Sequence, residues 1–270
     1  MPDDLSPDLR AALIRTAHAL ADAARPETLR RFRTGVASDD KGPGPGGRFD
    51  PVTEADRAAE RAMRAVLARE RPEDGILGEE YGPKAGTSGL TWVLDPIDGT
   101  RGYISGTPTW GVLVSVADAG GPLYGLIDQP YIGERFAGGW GEASVTGPLG
   151  TAPLRTAPPR PLAEATVLTT FPEIGTAGEH AAFRRVADRA RLVRYGMDCY
   201  GYALLAAGQV DLVIEAGLQP YDVQAPIAIV TAAGGIATAW DGSPAHGGGR
   251  LLAAANPVIH AAALELLTGA

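Results

Sequence analysis

Apolar and polar positions change period several times along this chain. Ser6-Pro7-Asp8 is followed by Leu9, Leu13, Thr16/Ala17 and Leu20 at helical spacing, which predicts a helix to about Ala24 with Ser6 as its cap and Pro7 in its first turn. His18 lies off that stripe and is expected to face solvent. Residues 35–50, GVASDDKGPGPGGRFD, carry turn and breaker residues throughout and predict a loop. Pro51-Val52-Thr53-Glu54-Ala55-Asp56 opens a second helix, whose apolar stripe is Ala59, Met63, Val66 and Leu67, to about Arg69. Thr53 and Asp56 have the spacing of a capping box.

Gly75 to Glu80 predicts a short strand ending in two acids. Neighbouring strand side chains point to opposite faces, so only one of Glu79 and Glu80 is expected to reach a common site. The runs Trp110–Val116, Leu123–Ile127 and Arg135–Ala137 are strands without intervening helices, which predicts an antiparallel sheet. A Gly/Pro-rich connection follows, at about residues 141–161. Beyond it the pattern alternates: strands at 166–170, 192–195, 210–215, 236–240 and 251–255, with helices around Phe183, from Tyr202 to Ala207, from Tyr221-Asp222 and after Asn256-Pro257. The expectation is one fold over residues 1–270, with an α+β part to about 148 and an α/β part over 149–270.

Between these runs lies TWVLDPIDGTRGYISG, residues 91–106. An apolar strand here delivers Asp95 and Asp98 into one tight turn. Pro96 fixes the backbone, and Gly99 lets the chain approach a ligand closely. Oxygen-only ligands of this kind suit a hard cation such as Mg²⁺. Asp-Gly is also a common turn dipeptide, so the turn alone decides little.

The whole string does more. DPIDGT after a Trp-Val-Leu strand resembles the first signature of the inositol monophosphatase family of Mg²⁺-dependent phosphatases. Val52-Thr53-Glu54-Ala55-Asp56, Gly78-Glu79-Glu80 and RGYISGTPTWGVLVSV are similar to further elements of it. Tyr221-Asp222 with Ala233-Gly234-Gly235 matches the second signature with departures: a Tyr stands where the family has Trp, and Ala225-Pro226 lies inside the helix. Pro226 is expected in that helix's first turn, where proline is tolerated.

The resemblance implies an αβαβα layered sandwich of the inositol monophosphatase and fructose-1,6-bisphosphatase type. It implies Glu79, Asp95, the Ile97 carbonyl, Asp98 and Asp222 as ligands for two or three Mg²⁺ ions, with Mn²⁺ as a substitute. Asp56, Thr100 and Glu79 take catalytic roles, with Asp56 orienting Thr100 on the attacking water. The Gly99 and Thr100 N–H groups would hold phosphate oxygens, and Arg101, Asp198, Glu215 and Asp222 would complete the substrate side. The bland alternatives are helix capping by Asp56, Asp198 and Asp222. A lysine often precedes the Val-Thr element in this family; here Lys41 or Arg48 is available.

Composition narrows the picture. A net charge of −8 without a basic cluster argues against nucleic acid, and no apolar run is long enough to span a membrane. One cysteine, Cys199, excludes an intrachain disulfide and fits a cytoplasmic protein; it is expected to be structural or a pocket wall. Only Lys41 and Lys84 are lysines, against 22 arginines, so Schiff-base chemistry is not expected. Arg101–Gly106, Gly196–Tyr202 and Leu218–Asp222 resemble the histidinol-phosphate phosphatase branch. Asp198 and Glu215 would there meet the cation of an amino alcohol. The expected activity is hydrolysis of L-histidinol phosphate, in histidine biosynthesis, by a homodimer. Inositol-1-phosphate or a broad set of sugar phosphates is the alternative, adenosine 3′,5′-bisphosphate a lower one, and a non-catalytic metal- or phosphate-binding protein the reading from another class.

Overall fold

The structure is a computed structural model and describes residues 5–35, 37–43 and 49–269. Its elements in chain order are α1 (Pro7–Leu29), β1 (Ser38–Pro43), β2 (Phe49–Thr53), α2 (Glu54–Glu70), β3 (Gly75–Gly78), β4 (Gly82–Lys84), β5 (Thr91–Asp98), α3 (Thr100–Ser105), β6 (Gly111–Asp118), β7 (Gly121–Gln129), β8 (Glu134–Gly139), β9 (Glu142–Gly147) and β10 (Gly150–Pro153). The second half follows with β11 (Thr166–Thr169), α4 (Ala177–Ala187), β12 (Leu192–Tyr195), α5 (Asp198–Ala206), β13 (Leu212–Leu218), α6 (Pro220–Ala232), β14 (Ile236–Thr238), β15 (Gly249–Ala254) and α7 (Pro257–Thr268).

An eight-stranded sheet has the order β10-β9-β8-β7-β6-β5-β3-β4 and a five-stranded sheet the order β12-β11-β13-β15-β14. The first is antiparallel except where β3 runs parallel to β5. In the second, β11 pairs in parallel with β12 and β13, while β15 is antiparallel to β13 and β14.

Strand alternation explains the layers. Val112, Val114 and Val116 of β6 point to a core shared with Leu13, Leu20, Met63 and Leu67 of α1 and α2. Leu113 and Ile127 point the other way, into a core between the sheets with Tyr202, Val223 and Ile229 of α5 and α6. Val213 and Ala253 face that same core, while Leu212, Ile214 and Leu252 face Phe183 and Ile259 of α4 and α7. The result is the expected αβαβα sandwich.

Helix α6 lies close on the large sheet because that sheet presents glycines. A Cβ on Gly125 would sit 2.4 Å from the Ala225 carbonyl oxygen, and one on Gly138 would be 3.1 Å from the Ile229 Cα. This contact fixes the N-terminal end of α6, where Asp222 stands.

Several sequence expectations need correction. Helix α1 runs through Pro26 to Leu29, beyond Ala24. Part of the expected loop at 35–50 is the hairpin β1–β2, and the expected connection at 141–161 contains the antiparallel pair β9–β10. Pro226 is interior to α6, because the helix already starts at Pro220. His18 is half-buried rather than solvent-facing: its ring nitrogens lie 3.2 Å from the Tyr124 hydroxyl and 3.2 Å from Arg135 Nη1.

Candidate active site

Strand β5 is the centre of the site. Its apolar body, Trp92 to Leu94, is buried in the sheet between β6 and β3, and the chain then bends so that the Ile97 N–H donates to Asp95 Oδ1 at 3.0 Å. The pairing of β5 with β6 is irregular between Asp95 and Asp98, as expected where a strand turns its polar groups toward a pocket. Gly99 follows at φ 84°, a left-handed conformation, and no other residue would fit: its Cβ would lie 2.8 Å from the Asp198 side chain.

Asp95, Asp98 and Asp222 each offer a carboxylate oxygen, and these oxygens lie within 4.8 Å of one another. Asp222 arrives at the third position of α6, where it also accepts the Gln219 N–H at 2.7 Å. Its capping and clustering roles therefore coexist. Asp98 is held from the second half of the chain by the Cys199 N–H at 2.6 Å.

Glu79 leaves the end of β3 and lies against Asp95. Lys41 Nζ donates to Glu79 Oε1 at 2.9 Å and also bonds Glu80. Glu79 lines the pocket and Glu80 does not, although the cause is the turn beyond Gly78, where β3 ends, rather than strand alternation. The lysine of the β1–β2 hairpin thus reaches the acids; Arg48 lies outside the described residues.

The acids crowd one another. Burial first, then the neighbouring Glu79, Asp98 and Asp222, pushes Asp95 well above the usual carboxylate range. Burial and Asp98 do the same for Asp222. Burial lifts Glu79 to about 7, against the pull of Lys41. Glu79 Oε2 is buried and has no hydrogen-bond partner among the described residues. Such a set of hard oxygen donors cannot be ionised together without added positive charge, so it fits divalent cations.

Beside the acids stands Thr100. Its hydroxyl donates to the Ile97 carbonyl at 3.0 Å and reaches Asp56 Oδ1 at 3.4 Å. Asp56 Oδ2 caps α2, accepting the Thr53 N–H at 2.8 Å and the Thr53 hydroxyl at 2.6 Å. One oxygen of Asp56 builds the helix end and the other faces the site.

The pocket continues past the acidic cluster to Glu215, Asp198 and Arg101. Glu215, on β13, accepts the Thr170 N–H at 2.6 Å, the Thr170 hydroxyl at 2.9 Å and the Thr169 hydroxyl at 3.2 Å. Burial still raises it to about 8. Asp198 has φ 45° and accepts the Thr109 hydroxyl at 3.2 Å; burial and Asp98 raise it to about 7. It does not cap α5, whose cap residue is Met197. The Arg101 guanidinium lies 5.2 Å from the centre of the Phe171 ring. All the residues singled out from the sequence for metal and substrate, Glu79, Asp95, Ile97, Asp98, Gly99, Thr100, Arg101, Asp198, Glu215 and Asp222, line this one pocket, and Asp56 stands behind Thr100. Thr170 and Phe171, which no motif marked, also line it, as does Tyr202 from the Gly196–Tyr202 segment.

Residues 10–269 match the inositol monophosphatase family. The chain belongs to the inositol monophosphatase family. It is 39% identical over 243 residues to the bifunctional phosphatase IMPL2 of Arabidopsis thaliana, covering 89% of this chain and 68% of that protein. It is 37% identical over 270 residues to a histidinol-phosphatase of Streptomyces coelicolor, covering 96% of each. An inositol monophosphatase structure from Zymomonas mobilis superimposes with a TM-score of 0.84 at 37% identity, covering 98% of this chain and 100% of the other. This family member is therefore a phosphatase that hydrolyses phosphate monoesters, and the family is metal-dependent. Among the described residues no helix is long and apolar enough to cross a membrane.

Proposed function

We propose that this chain is a Mg²⁺-dependent L-histidinol-phosphate phosphatase. The observation that carries the substrate is the pair of acids on the organic side of the pocket, Asp198 and Glu215. A polyol offers no charge to them, whereas an amino alcohol brings a cation. The similarity to the Streptomyces coelicolor histidinol-phosphatase along nearly the whole chain supports the same reading.

Glu79, Asp95, the Ile97 carbonyl, Asp98 and Asp222 would hold two or three Mg²⁺ ions, or Mn²⁺ in their place. Bound cations supply Lewis-acid stabilisation of phosphate charge and make water more acidic. The chain's own groups do the rest. The Gly99 and Thr100 N–H groups hold phosphate oxygens. Thr100, held by the Ile97 carbonyl and Asp56, receives a hydrogen bond from the attacking water and keeps it in line with the ester bond. Asp56 draws the proton released as water adds to phosphorus. The P–O ester bond breaks with its electron pair on the leaving oxygen, which gains a proton to give the alcohol. Glu215 and Asp198 bind the substrate's ammonium, and Arg101 closes the pocket edge against Phe171.

The second reading is inositol-1-phosphate or a broad sugar-phosphate specificity, which the superposition on the Zymomonas mobilis enzyme favours. Phosphate release from L-histidinol phosphate, inositol-1-phosphate, fructose-1,6-bisphosphate and adenosine 3′,5′-bisphosphate, each with Mg²⁺ and with EDTA, tests both. A Mg²⁺-dependent preference for histidinol phosphate is expected; equal or better turnover of inositol-1-phosphate would overturn the substrate assignment. The proposed protein is a cytoplasmic homodimer, which sedimentation velocity would check for stoichiometry.

A further inference from the structure

Glu60 is a fully buried carboxylate on α2, one helical turn beyond Asp56. A buried charge is costly unless every oxygen is engaged. Glu60 Oε2 accepts the Glu80 N–H at 2.7 Å; Oε1 accepts the Tyr81 N–H at 3.3 Å and Arg64 Nε at 2.7 Å. Its two backbone partners are the residues immediately after Glu79. Glu79's own N–H is tied to the Leu94 carbonyl on β5 at 3.1 Å. The backbone that carries Glu79 is therefore pinned on one side by β5 and on the other by Glu60. Gly78 leaves the room for this: a Cβ there would lie 2.0 Å from Glu60 Oε1.

We infer that Glu60 is a positioning residue for the cation site, fixing where the Glu79 carboxylate stands relative to Asp95. It touches neither phosphate nor the organic group. Helix α2 thus serves the site twice, through Asp56 at Thr100 and through Glu60 at the Glu79 turn. The inference rests on the metal-dependent reading above and is independent of which phosphate ester is the substrate.

Glu60→Gln is the direct test. Glutamine keeps the shape but has one acceptor oxygen, so it cannot satisfy Glu80, Tyr81 and Arg64 together. Mn²⁺ binding to the whole protein is titrated without substrate, and the Mg²⁺ concentration for half-maximal p-nitrophenyl phosphate hydrolysis is measured beside it. The Mn²⁺ dissociation constant and the half-maximal Mg²⁺ concentration are both expected to rise about 10- to 100-fold, as for residues that orient metal ligands. Gly78→Ala crowds the same contact without removing charge and should shift both in the same direction. Asp74→Asn disturbs another buried acid, just before β3, and should leave Mn²⁺ affinity within about twofold of wild type. Wild-type Mn²⁺ affinity in Glu60→Gln, or equal weakening in Asp74→Asn, would overturn the inference alone. A wild-type protein that takes up no Mn²⁺ would overturn the metal reading and the inference together.

Discussion

Cys199 donates its backbone N–H to Asp98 Oδ2 across 2.6 Å, joining the start of α5 to the Asp95–Thr100 turn. The thiol itself is buried, and burial with Asp98 beside it pushes it well above the usual thiol range, which disfavours the thiolate. Asp98 is thus oriented by the second half of the chain and clustered with Asp95 from its own strand. Asp98→Asn keeps the size but brings an NH₂ group toward either the Cys199 N–H or the carboxylate cluster. Turnover should fall by more than about 100-fold, beyond what loss of an outer hydrogen-bonding partner causes. Thermal denaturation should show the fold intact. A variant with normal turnover would remove Asp98 from the mechanism.

How far the sequence discloses this arrangement depends on the range of the cause. Asp95, Ile97, Asp98, Gly99 and Thr100 lie on one local turn, so their convergence is written in consecutive residues. Asp222 follows from a helix start, and the layers follow from strand alternation such as Val112/Val114 against Leu113. Lys41 was harder: its strand pairs inside a Gly/Pro-rich stretch whose composition reads as loop. Glu79 lines the pocket and Glu80 does not, as expected, but the turn beyond Gly78 separates them rather than strand alternation. His18 sits off the apolar stripe, yet Tyr124 and Arg135, more than a hundred residues away, give its nitrogens partners. Thr170 reaches the pocket through its hydrogen bonds to Glu215 on the neighbouring strand, a long-range pairing that no local pattern encodes.

Glu215 tests the substrate. Thr169 and Thr170 hold it by three hydrogen bonds, and it is not one of the three clustered acids Asp95, Asp98 and Asp222, so its replacement should spare phosphate chemistry. Glu215→Gln removes the ionisable carboxyl, which a bound cation would hold in its charged form, and keeps the shape. KM for L-histidinol phosphate should rise about 10- to 100-fold, the worth of a hydrogen bond to a charged group. KM for p-nitrophenyl phosphate should stay within about threefold of wild type. Equal effects on both would make Glu215 structural.

Asp74 tests the frame behind β5. It is buried and accepts Trp92 Nε1 at 2.9 Å, Arg71 Nε at 2.7 Å and the Ser88 hydroxyl at 2.6 Å. Asp74→Ala strands the indole N–H of a fully buried tryptophan and leaves Arg71 without its partner. A loss of about 3 kcal/mol in urea denaturation is expected. A loss below about 1 kcal/mol would show that the loop re-pairs these donors elsewhere.

His18 gives the back of the large sheet a pH dependence. Arg135 can only donate, so Nδ1 accepts from it and the Nε2–H donates to the Tyr124 hydroxyl. Burial, then the Arg135 charge, lowers the imidazole below its ordinary 6.5, against the opposite pull of Asp22 and Asp128. Arg25, paired with Asp128 at 2.6 Å, adds positive charge to the same network. Above 6.5 the ring is neutral in both folded and unfolded chains, and its contribution is complete. As pH falls through 6.5 the unfolded chain takes up a proton that the folded one resists, so stability is lost down to the lowered folded value. His18→Gln removes this term and leaves the carboxylates to titrate as before. The stability difference between wild type and variant should therefore shrink from about pH 7.5 to about pH 5.5 in urea denaturation. A difference that stays constant over that range would mean that His18 protonates in the folded protein as easily as in the unfolded chain.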